Sequence, residues 1–228
     1  MSTLLFVHGS GCTSDAFENQ MREFPQAHAP NLPGHASPGG GKSVAEFADF
    51  IERYIAQHNL QDVVLCGNSL GGAIALEVGL RKSAEVRGII LLGSGSRLKV
   101  APAILEGLEK NFEETARQLA GYMFAQATPE RTTSALQSMQ TVGQRQTLRD
   151  FQACHDFDVT QRLPELLIPV LAVTGEQDVM TPPKYAQFLA DRVPAGEVRI
   201  VPGAGHLVMI ERPTETNDAV ANFVNQLR

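Results

Sequence analysis

Short apolar runs that alternate with helical patterns are the feature that most restricts the fold of this chain. Each run leads into a glycine-rich or polar loop, and the runs are Leu4–Val7, Val63–Cys66, Gly88–Leu92, Val170–Thr174 and Val198–Val201. Apolar residues at helical spacing fill most of the intervals, as in Phe47, Ile51 and Ile55. Strands joined in this way form a parallel sheet that helices cover on both faces. The sequence therefore predicts a three-layer α/β domain.

Capping residues mark where some of the helices begin, and prolines indicate where a strand is weak. Ser43 and Glu46 have the spacing of a capping box, which predicts a helix that begins directly after Ser43. Thr181 precedes two prolines, which predicts a helix with Thr181 as its N-cap. Residues 24–30, "FPQAHAP", hold two prolines, so we expect at most a weak strand at the edge of the sheet.

The alternation lapses between Arg97 and about Thr160, where only helical spacing is found. One helical stretch runs to Phe124 and a second follows Pro129. We interpret residues 97–160 as a helical insertion over the carboxyl ends of the strands, with ordinary packing on the flank of the sheet as the alternative. The absence of repeats and long linkers predicts that residues 1–228 form a single domain.

Composition and charge argue against several classes of function. The 228 residues carry a formal net charge of −6 without a cluster of Lys and Arg, so nucleic acid and anionic membranes are poor partners. No run approaches the roughly 20 apolar residues of a membrane span, and the start lacks the features of a signal peptide. The three cysteines lack metal-ligand spacing. We therefore expect a cytoplasmic protein with reduced thiols and no metal.

The sequence also lacks a convincing cofactor motif. Residues 36–43, "ASPGGGKS", imitate a phosphate-binding loop but begin with Ala36, where that motif requires glycine. "CHDFD", residues 154–158, offers acids and a histidine without a persuasive ligand geometry. We expect a helix cap there and no bound cofactor.

The turn Gly67-Asn68-Ser69-Leu70-Gly71-Gly72 lies between a predicted strand and a predicted helix. Glycine two residues before and after the serine is typical of a nucleophile elbow, a turn too tight for side chains at those positions. Such a turn would expose the Ser69 hydroxyl at the amino end of a helix, where N–H groups and the helix dipole favour negative charge. Ser69 is therefore the candidate nucleophile.

A serine hydroxyl needs a base and an acid nearby. His206 follows the last predicted strand in a short loop and is the candidate base. Asp178 closes the loop after the preceding strand and is the candidate acid, with Glu176 as a competitor two residues away. The loop after Leu92, "GSGSRLK", contains no carboxylate, which favours Asp178.

The loop after the first strand, His8-Gly9-Ser10-Gly11, would let the backbone approach a reacting carbonyl. The N–H groups of Ser10 and Leu70 are the candidate oxyanion hole. For His8 we expect a hydrogen bond that stabilises the loop, not a catalytic role.

With these motifs in order, the chain resembles the α/β-hydrolase fold superfamily, in particular serine esterases and lipases with a helical cap. The matching stretches are "HGSG", "NLPGH", "GNSLGG", "VTGEQDVMTPP" and "VPGAGHLVMIERP". The resemblance implies Ser69 as nucleophile, His206 as general base and acid, Asp178 as orienting carboxylate and residues 97–160 as the cap. Family members usually carry an amino-terminal β-hairpin that this chain lacks, so we expect a mostly parallel sheet of about six strands.

The resemblance favours a serine hydrolase that acts on small to medium carboxylic esters through an acyl-enzyme. A carbon–carbon bond hydrolase of ring-fission diketones and a hydrolase-like ligand sensor are the alternatives. Helical spacing in residues 97–160 suggests an apolar substrate lining formed by Met123, Phe124, Met139 and Phe151. The expected partner is a small-molecule substrate, and the sequence indicates no particular oligomeric state.

Overall fold

The computed structural model describes residues 2–227, and its centre is one parallel β-sheet. The strands are β1 Thr3–Val7, β2 Val63–Asn68, β3 Val86–Leu92, β4 Val170–Gly175 and β5 Gly196–Val201. Within the described residues the sheet has five strands in the order β1-β2-β3-β4-β5, all parallel. Every predicted apolar run is part of a strand, and the predicted α/β fold class is confirmed.

Residues 24–30 form less than the edge strand that the sequence predicted. They pair with β1 at a single position, where His28 lies opposite Leu5 in a parallel bridge. Phe6 N–H donates to the His28 carbonyl at 2.8 Å, and His28 N–H donates to the Leu4 carbonyl at 2.9 Å. Pro25 and Pro30 flank this bridge and have no N–H with which to extend it. The sheet of about six expected strands is therefore five strands with one bridged residue at the edge.

Helices connect the strands and cover the sheet on both faces. They are α1 Glu18–Glu23, α2 Val44–Gln57, α3 Leu70–Leu80, α4 Pro102–Lys110, α5 Phe112–Tyr122, α6 Pro129–Val142, α7 Gln144–Asp156, α8 Pro183–Ala190, α9 Val208–Glu211 and α10 Pro213–Gln226. Short 3₁₀ turns occupy Ser14–Phe17 and Thr160–Glu165. Ser43 caps α2 as predicted, because its side chain accepts the N–H of Glu46 at 3.2 Å.

Alternate residues of the strands face two separate apolar clusters. Leu5 and Val7 of β1 point into the cluster with α2, α3 and α8, whereas Leu4 and Phe6 point into the cluster with α9 and α10. This period of two, with both faces buried, produces the three layers. No helix within residues 2–227 combines the length and apolar character needed to cross a bilayer.

The four helices α4–α7 lie between β3 and β4, in the segment predicted to be a helical insertion. Two contacts tie them to loops at the carboxyl ends of the strands. The Ser138 hydroxyl of α6 donates to the Gly11 carbonyl after β1 at 3.1 Å. The Leu207 N–H after β5 donates to the Met123 carbonyl at the end of α5 at 3.0 Å. This four-helix segment therefore touches the loops that carry the candidate catalytic residues.

Candidate active site

Ser69 occupies a strained turn between β2 and α3. Its φ is +52° and its ψ is −113°, a combination that non-glycine residues seldom adopt. A Cβ atom on Gly67 would lie 2.1 Å from the Gly71 carbonyl oxygen, and one on Gly71 would lie 2.0 Å from the Val7 carbonyl oxygen. Glycine is therefore required at both positions, by contact with neighbouring backbone. The turn has the geometry expected of a nucleophile elbow.

The candidate oxyanion donors lie on either side of this elbow. Leu70 is the first residue of α3, and Ser10 lies in the loop that follows β1. Within residues 2–227, neither backbone N–H has a hydrogen-bond partner. Gly9 lets the two loops meet, because a Cβ there would lie 2.7 Å from the Asn68 side-chain oxygen. Both N–H groups are thus free to bind an oxygen atom.

His8 lies beneath this loop and is fully buried. Its Nε2 accepts the Leu32 N–H at 3.0 Å, which leaves Nδ1 to donate to the Gly9 carbonyl at 3.1 Å. Burial, reinforced by the neighbouring His35, lowers the pKa of His8 to about 3. A neutral imidazole with both nitrogens occupied holds two loops together, as the sequence suggested.

A buried carboxylate of the four-helix segment supports the same loop. Asp150 of α7 accepts the Gly11 N–H at 3.0 Å, His35 Nε2 at 2.7 Å and the Gln146 side-chain amide at 2.9 Å. The side chains of His35 and Asp150 are both without solvent exposure. Nothing in the local sequence marks Asp150, since its partners Gly11 and His35 lie 139 and 115 residues away along the chain.

Asp178 and His206 form a buried pair at the carboxyl ends of β4 and β5. His206 Nδ1 lies 3.0 Å from Asp178 Oδ2, and the two side chains are 3% and 0% exposed. Asp178 Oδ1 accepts the N–H groups of Met180 and Thr181, at 2.9 and 2.8 Å. The carboxylate is therefore fixed from one side by backbone and aimed at the imidazole from the other.

Thr181 joins this pair through its side chain. Its hydroxyl donates to Asp178 Oδ2 at 2.7 Å and lies 3.1 Å from His206 Nδ1. The prediction that Thr181 caps the next helix is wrong, because α8 begins at Pro183 and Pro182 is its N-cap. The hydroxyl contacts the Asp178–His206 pair instead, and sequence pattern gave no sign of this.

Two opposing influences act on the acidity of Asp178. Burial raises the pKa of its carboxyl, but the charge of His206 and hydrogen bonds from His206 and Thr181 outweigh burial and hold the pKa below its usual value. Asp178 is therefore ionised at neutral pH and can stabilise a proton on His206.

Gly93 makes room for this pair at the end of β3. Its φ is +53°, and a Cβ there would lie 2.7 Å from the His206 carbonyl oxygen and 3.1 Å from Asp178 Oδ2. Asn68 approaches the same loop, since its side-chain amide donates to the Leu92 carbonyl at 2.9 Å and to that of His206 at 3.4 Å. The loop after β3, which contains no carboxylate, thus still shapes the site.

Ser69, Ser10, Thr181 and His206 all line one cavity of about 230 Å³. Part of its wall comes from the four-helix segment, through Ile104, Leu119, Phe151 and Cys154. We refer to it as the catalytic cavity. The structure thus brings Ser69, His206 and Ser10, three of the candidate site residues, to a common space.

The four residues suggested as substrate lining are separated by the structure. Phe151 lines the catalytic cavity. Phe124 lines a different cavity of about 550 Å³, between α6 and the loop after β1. Met123 and Met139 are buried in the apolar core, 3% and 0% exposed, and line neither cavity. Helical spacing identified an apolar face without indicating which of its members border empty space.

The cysteines lie near the site without the properties of a nucleophile. All three are buried free thiols, and burial raises the pKa of Cys12 and Cys154 to about 12. Burial also raises the pKa of Cys66. Among the described residues, no group of three or more His, Cys, Asp and Glu side chains could hold a metal ion.

Glu211 is a further buried carboxylate that sequence reasoning missed. Its side chain is 1% exposed and forms an ion pair with Arg131 of α6 at 3.1 Å. It accepts the Gly205 N–H at 2.6 Å and the N–H groups of Ala125 and Gln126 at 3.0 and 3.1 Å. One carboxylate therefore connects the loop of His206 to the linker between α5 and α6.

Comparison with known proteins identifies the family. The model of the alpha/beta hydrolase family matches residues 4–219 of this chain. The chain belongs to that family. This alpha/beta hydrolase is similar to the AB hydrolase superfamily protein YisY of Bacillus subtilis, with 25% identity over 97% of this chain and 91% of the relative.

Other relatives carry more specific names. The pimeloyl-[acyl-carrier protein] methyl ester esterase of Yersinia enterocolitica is 24% identical over 98% of this hydrolase and 93% of the relative. Among solved structures, a thermophilic esterase superposes with a TM-score of 0.88 and 29% identity, over 98% of this chain and 90% of the other. The resemblance drawn from the sequence motifs is thus confirmed at the level of the family.

Proposed function

We propose that this protein is a serine hydrolase that cleaves small carboxylic esters through an acyl-enzyme. The observation that carries the proposal is the hydrogen-bonded Asp178–His206 pair, at 3.0 Å, which shares the catalytic cavity with Ser69 on its strained turn. Similarity to proteins named esterases, one of them 29% identical over nearly the whole chain, supports an ester as substrate.

In the first half-reaction the Ser69 hydroxyl oxygen attacks the ester carbonyl carbon, and His206 accepts the hydroxyl proton. With its Nδ1–H directed at Asp178, the imidazole presents Nε2 as the base. The C–O bond to the alcohol then breaks, and His206 returns the proton to the leaving alkoxide oxygen. The products of this step are the alcohol and an ester of Ser69.

In the second half-reaction His206 removes a proton from water, whose oxygen attacks the acyl-enzyme carbonyl. The bond to Ser69 Oγ breaks, the proton returns to that oxygen, and the carboxylic acid leaves. In both halves the carbonyl oxygen becomes negative and is stabilised by the free N–H groups of Ser10 and Leu70. No cofactor enters this scheme.

The four-helix segment, residues 97–160 in the sequence interpretation, acts as a cap over this chemistry. Its helices contribute Ile104, Leu119 and Phe151 to the cavity wall, so the acyl group meets an apolar surface. A cavity of about 230 Å³ is below the roughly 300–1,000 Å³ common for ligand pockets. The preferred substrates are therefore short-chain esters.

The test is hydrolysis of 4-nitrophenyl acetate, butyrate and octanoate by wild type, Ser69→Ala and the control Ser83→Ala. Ser83 precedes β3, at the end of the sheet opposite the catalytic cavity. We expect turnover of acetate and butyrate over octanoate, and a loss of about 10⁴-fold or more in Ser69→Ala alone.

A covalent label gives a second readout that does not depend on the choice of ester. Phenylmethylsulfonyl fluoride should add one sulfonyl group to wild type, located at Ser69 by mass spectrometry, and none to Ser69→Ala. Equal ester hydrolysis by wild type and Ser69→Ala would refute the proposal. Labelling without ester turnover would move a carbon–carbon hydrolase or a ligand sensor ahead of it.

A further inference from the structure

A third cavity adjoins the catalytic cavity and is lined by several positively charged side chains. Its volume is about 600 Å³, and Arg97, Lys99 and Lys184 line it together with Tyr185 and Phe188. We call it the cationic groove. Lys99 and Tyr185 also line the catalytic cavity, so the two spaces meet at these side chains.

The charge of the groove contrasts with that of the whole chain. The chain has 19 Lys and Arg against 25 Asp and Glu, a formal net charge of −6. No Asp or Glu among the described residues lines the groove, and the catalytic cavity is also free of lining Asp and Glu in residues 2–227. A local excess of cations on an acidic protein is a feature that attracts anions to that place.

Two of the three cations of the groove, Lys99 and Lys184, form no ion pair within the described residues. Lys99 Nζ donates to the His155 carbonyl at 3.0 Å, a contact that orients the ammonium without cancelling its charge. Arg97 pairs with Asp158 at 3.5 Å, and within the described residues it is the one member of the three that forms an ion pair. Lys99 and Lys184 therefore present two cations without an ion pair in residues 2–227, although Asp158 lies close enough to Lys99 to interact with its charge.

The remaining lining indicates what kind of anion fits. Tyr185 and Phe188 supply aromatic surface beside the cations, and Ser96 and Thr160 supply hydroxyls that lie 3.2 Å from each other. Such a surface suits a short apolar chain that ends in a hydrogen-bond acceptor with negative charge.

We propose that the substrates of this hydrolase carry an anionic group, a carboxylate, which binds in the cationic groove while the ester lies at Ser69. This proposal rests on the proposed function and adds the substrate class to it. The carboxylate could belong to the acyl part of the ester or to its alcohol part, and the groove recognises the same chemistry in either case.

Matched pairs of esters test both sources. For the acyl side, 4-nitrophenyl hydrogen glutarate is compared with 4-nitrophenyl pentanoate, which has the same number of acyl carbons. For the alcohol side, the acetate of 4-hydroxybenzoate is compared with the acetate of its methyl ester. We expect kcat/KM to be higher for the anionic member of at least one pair, and the preference to shrink as NaCl screens the exposed charges.

The double variant Lys99→Gln/Lys184→Gln should lower the anionic-to-neutral ratio of kcat/KM about tenfold, because exposed charge pairs contribute about threefold to fivefold each. Lys82→Gln is the matched control, since Lys82 is exposed after α3 at the other end of the sheet. It should leave the ratio unchanged. An unaltered ratio in the double variant, or a wild-type preference for the neutral member of both pairs, would overturn the proposal.

Binding without turnover separates this proposal from the proposed function. In the Ser69→Ala background, NMR titration should show tighter binding of monomethyl glutarate than of dimethyl glutarate, and the double lysine variant should abolish the difference. If no ester is hydrolysed but monomethyl glutarate still binds more tightly than dimethyl glutarate, the carboxylate-binding role of the groove is supported and the ester-hydrolase proposal fails. If esters are hydrolysed and no difference is seen, the groove proposal fails alone.

Discussion

Replacement of Glu211 by glutamine should destabilise this hydrolase far more than its small change in shape suggests. The carboxylate is 1% exposed and has four donors, three backbone N–H groups and the Arg131 guanidinium. Oε2 accepts from Gly205 and Ala125, and Oε1 accepts from Gln126 and Arg131. An amide keeps one of these oxygens and turns an NH₂ group towards the donors of the other.

The magnitude follows from the bonds that any orientation of the amide must lose. Two donors lose their acceptor, and a hydrogen bond to a charged group is worth about 1.5–3 kcal/mol. Removal of one member of a buried ion pair costs about 3–5 kcal/mol, which agrees with the loss of two such hydrogen bonds. For a chain of this length 1 kcal/mol corresponds to about 2–4 °C, so a loss of about 3 kcal/mol lowers the Tm by about 6–12 °C.

Thermal unfolding followed by circular dichroism measures this change, with Glu109→Gln as the control. Glu109 is an exposed glutamate of α4, so its variant should melt with wild type. Because Gly205 precedes His206, Glu211→Gln should also lower kcat for ester hydrolysis more than it changes KM, at a temperature where the variant is folded. A Tm within about 2 °C of wild type would refute the reasoning, since two hydrogen bonds to a buried charge cannot be lost at so little cost.

Three further predictions concern the site. Thr181→Val removes the hydroxyl between Asp178 and His206 while keeping the volume, and should raise the pKa of the Asp178 carboxyl, measured by NMR titration, and lower kcat/KM about tenfold. The free energy of unfolding should fall as the pH drops from 6.5 towards 4.5, by up to about 1.4 kcal/mol per pH unit. The reason is that the pKa of buried His8 is lowered from 6.5 to about 3, so only the unfolded chain takes up that proton. Urea unfolding at several pH values should show a smaller dependence of this free energy on pH in His8→Gln. Gly93→Ala adds a Cβ 2.7 Å from the His206 carbonyl oxygen at a φ of +53°, and should reduce kcat by more than about tenfold in a variant that circular dichroism shows to be folded.

The strands and their order along the chain could be predicted because burial on both faces produces short continuous apolar runs. Val63–Asn68 and Val170–Gly175 are buried at every position, and both were visible as such runs. Strand β5 was recognised over only part of its length, since it lies at the edge of the sheet and its exposed residues break the run. The edge segment around His28 was overestimated, because a propensity for extended backbone does not supply the N–H groups that proline lacks.

The candidate site was partly accessible from sequence, for a similar reason. The elbow requires glycine at fixed positions two residues before and after Ser69, so Gly67 and Gly71 leave a local pattern. The placement of Asp178 and His206 follows from the rule that strand ends of a parallel sheet meet at one edge. Thr181, Asp150 and Glu211 each have, besides a near neighbour, a partner 25 to 139 residues distant, and no local pattern reveals those distant contacts.

Thr181 shows that a sequence pattern typical of a helix cap does not fix what the hydroxyl contacts. A threonine before two prolines satisfies the pattern of an N-cap, but the helix can begin without that bond because proline in its first turn has no N–H to satisfy. The hydroxyl donates instead to the buried Asp178 carboxylate, and a hydrogen bond to a charged group is worth about 1.5–3 kcal/mol. Thr181 thus lies one residue before the N-cap Pro182, and its hydroxyl contacts the Asp178–His206 pair.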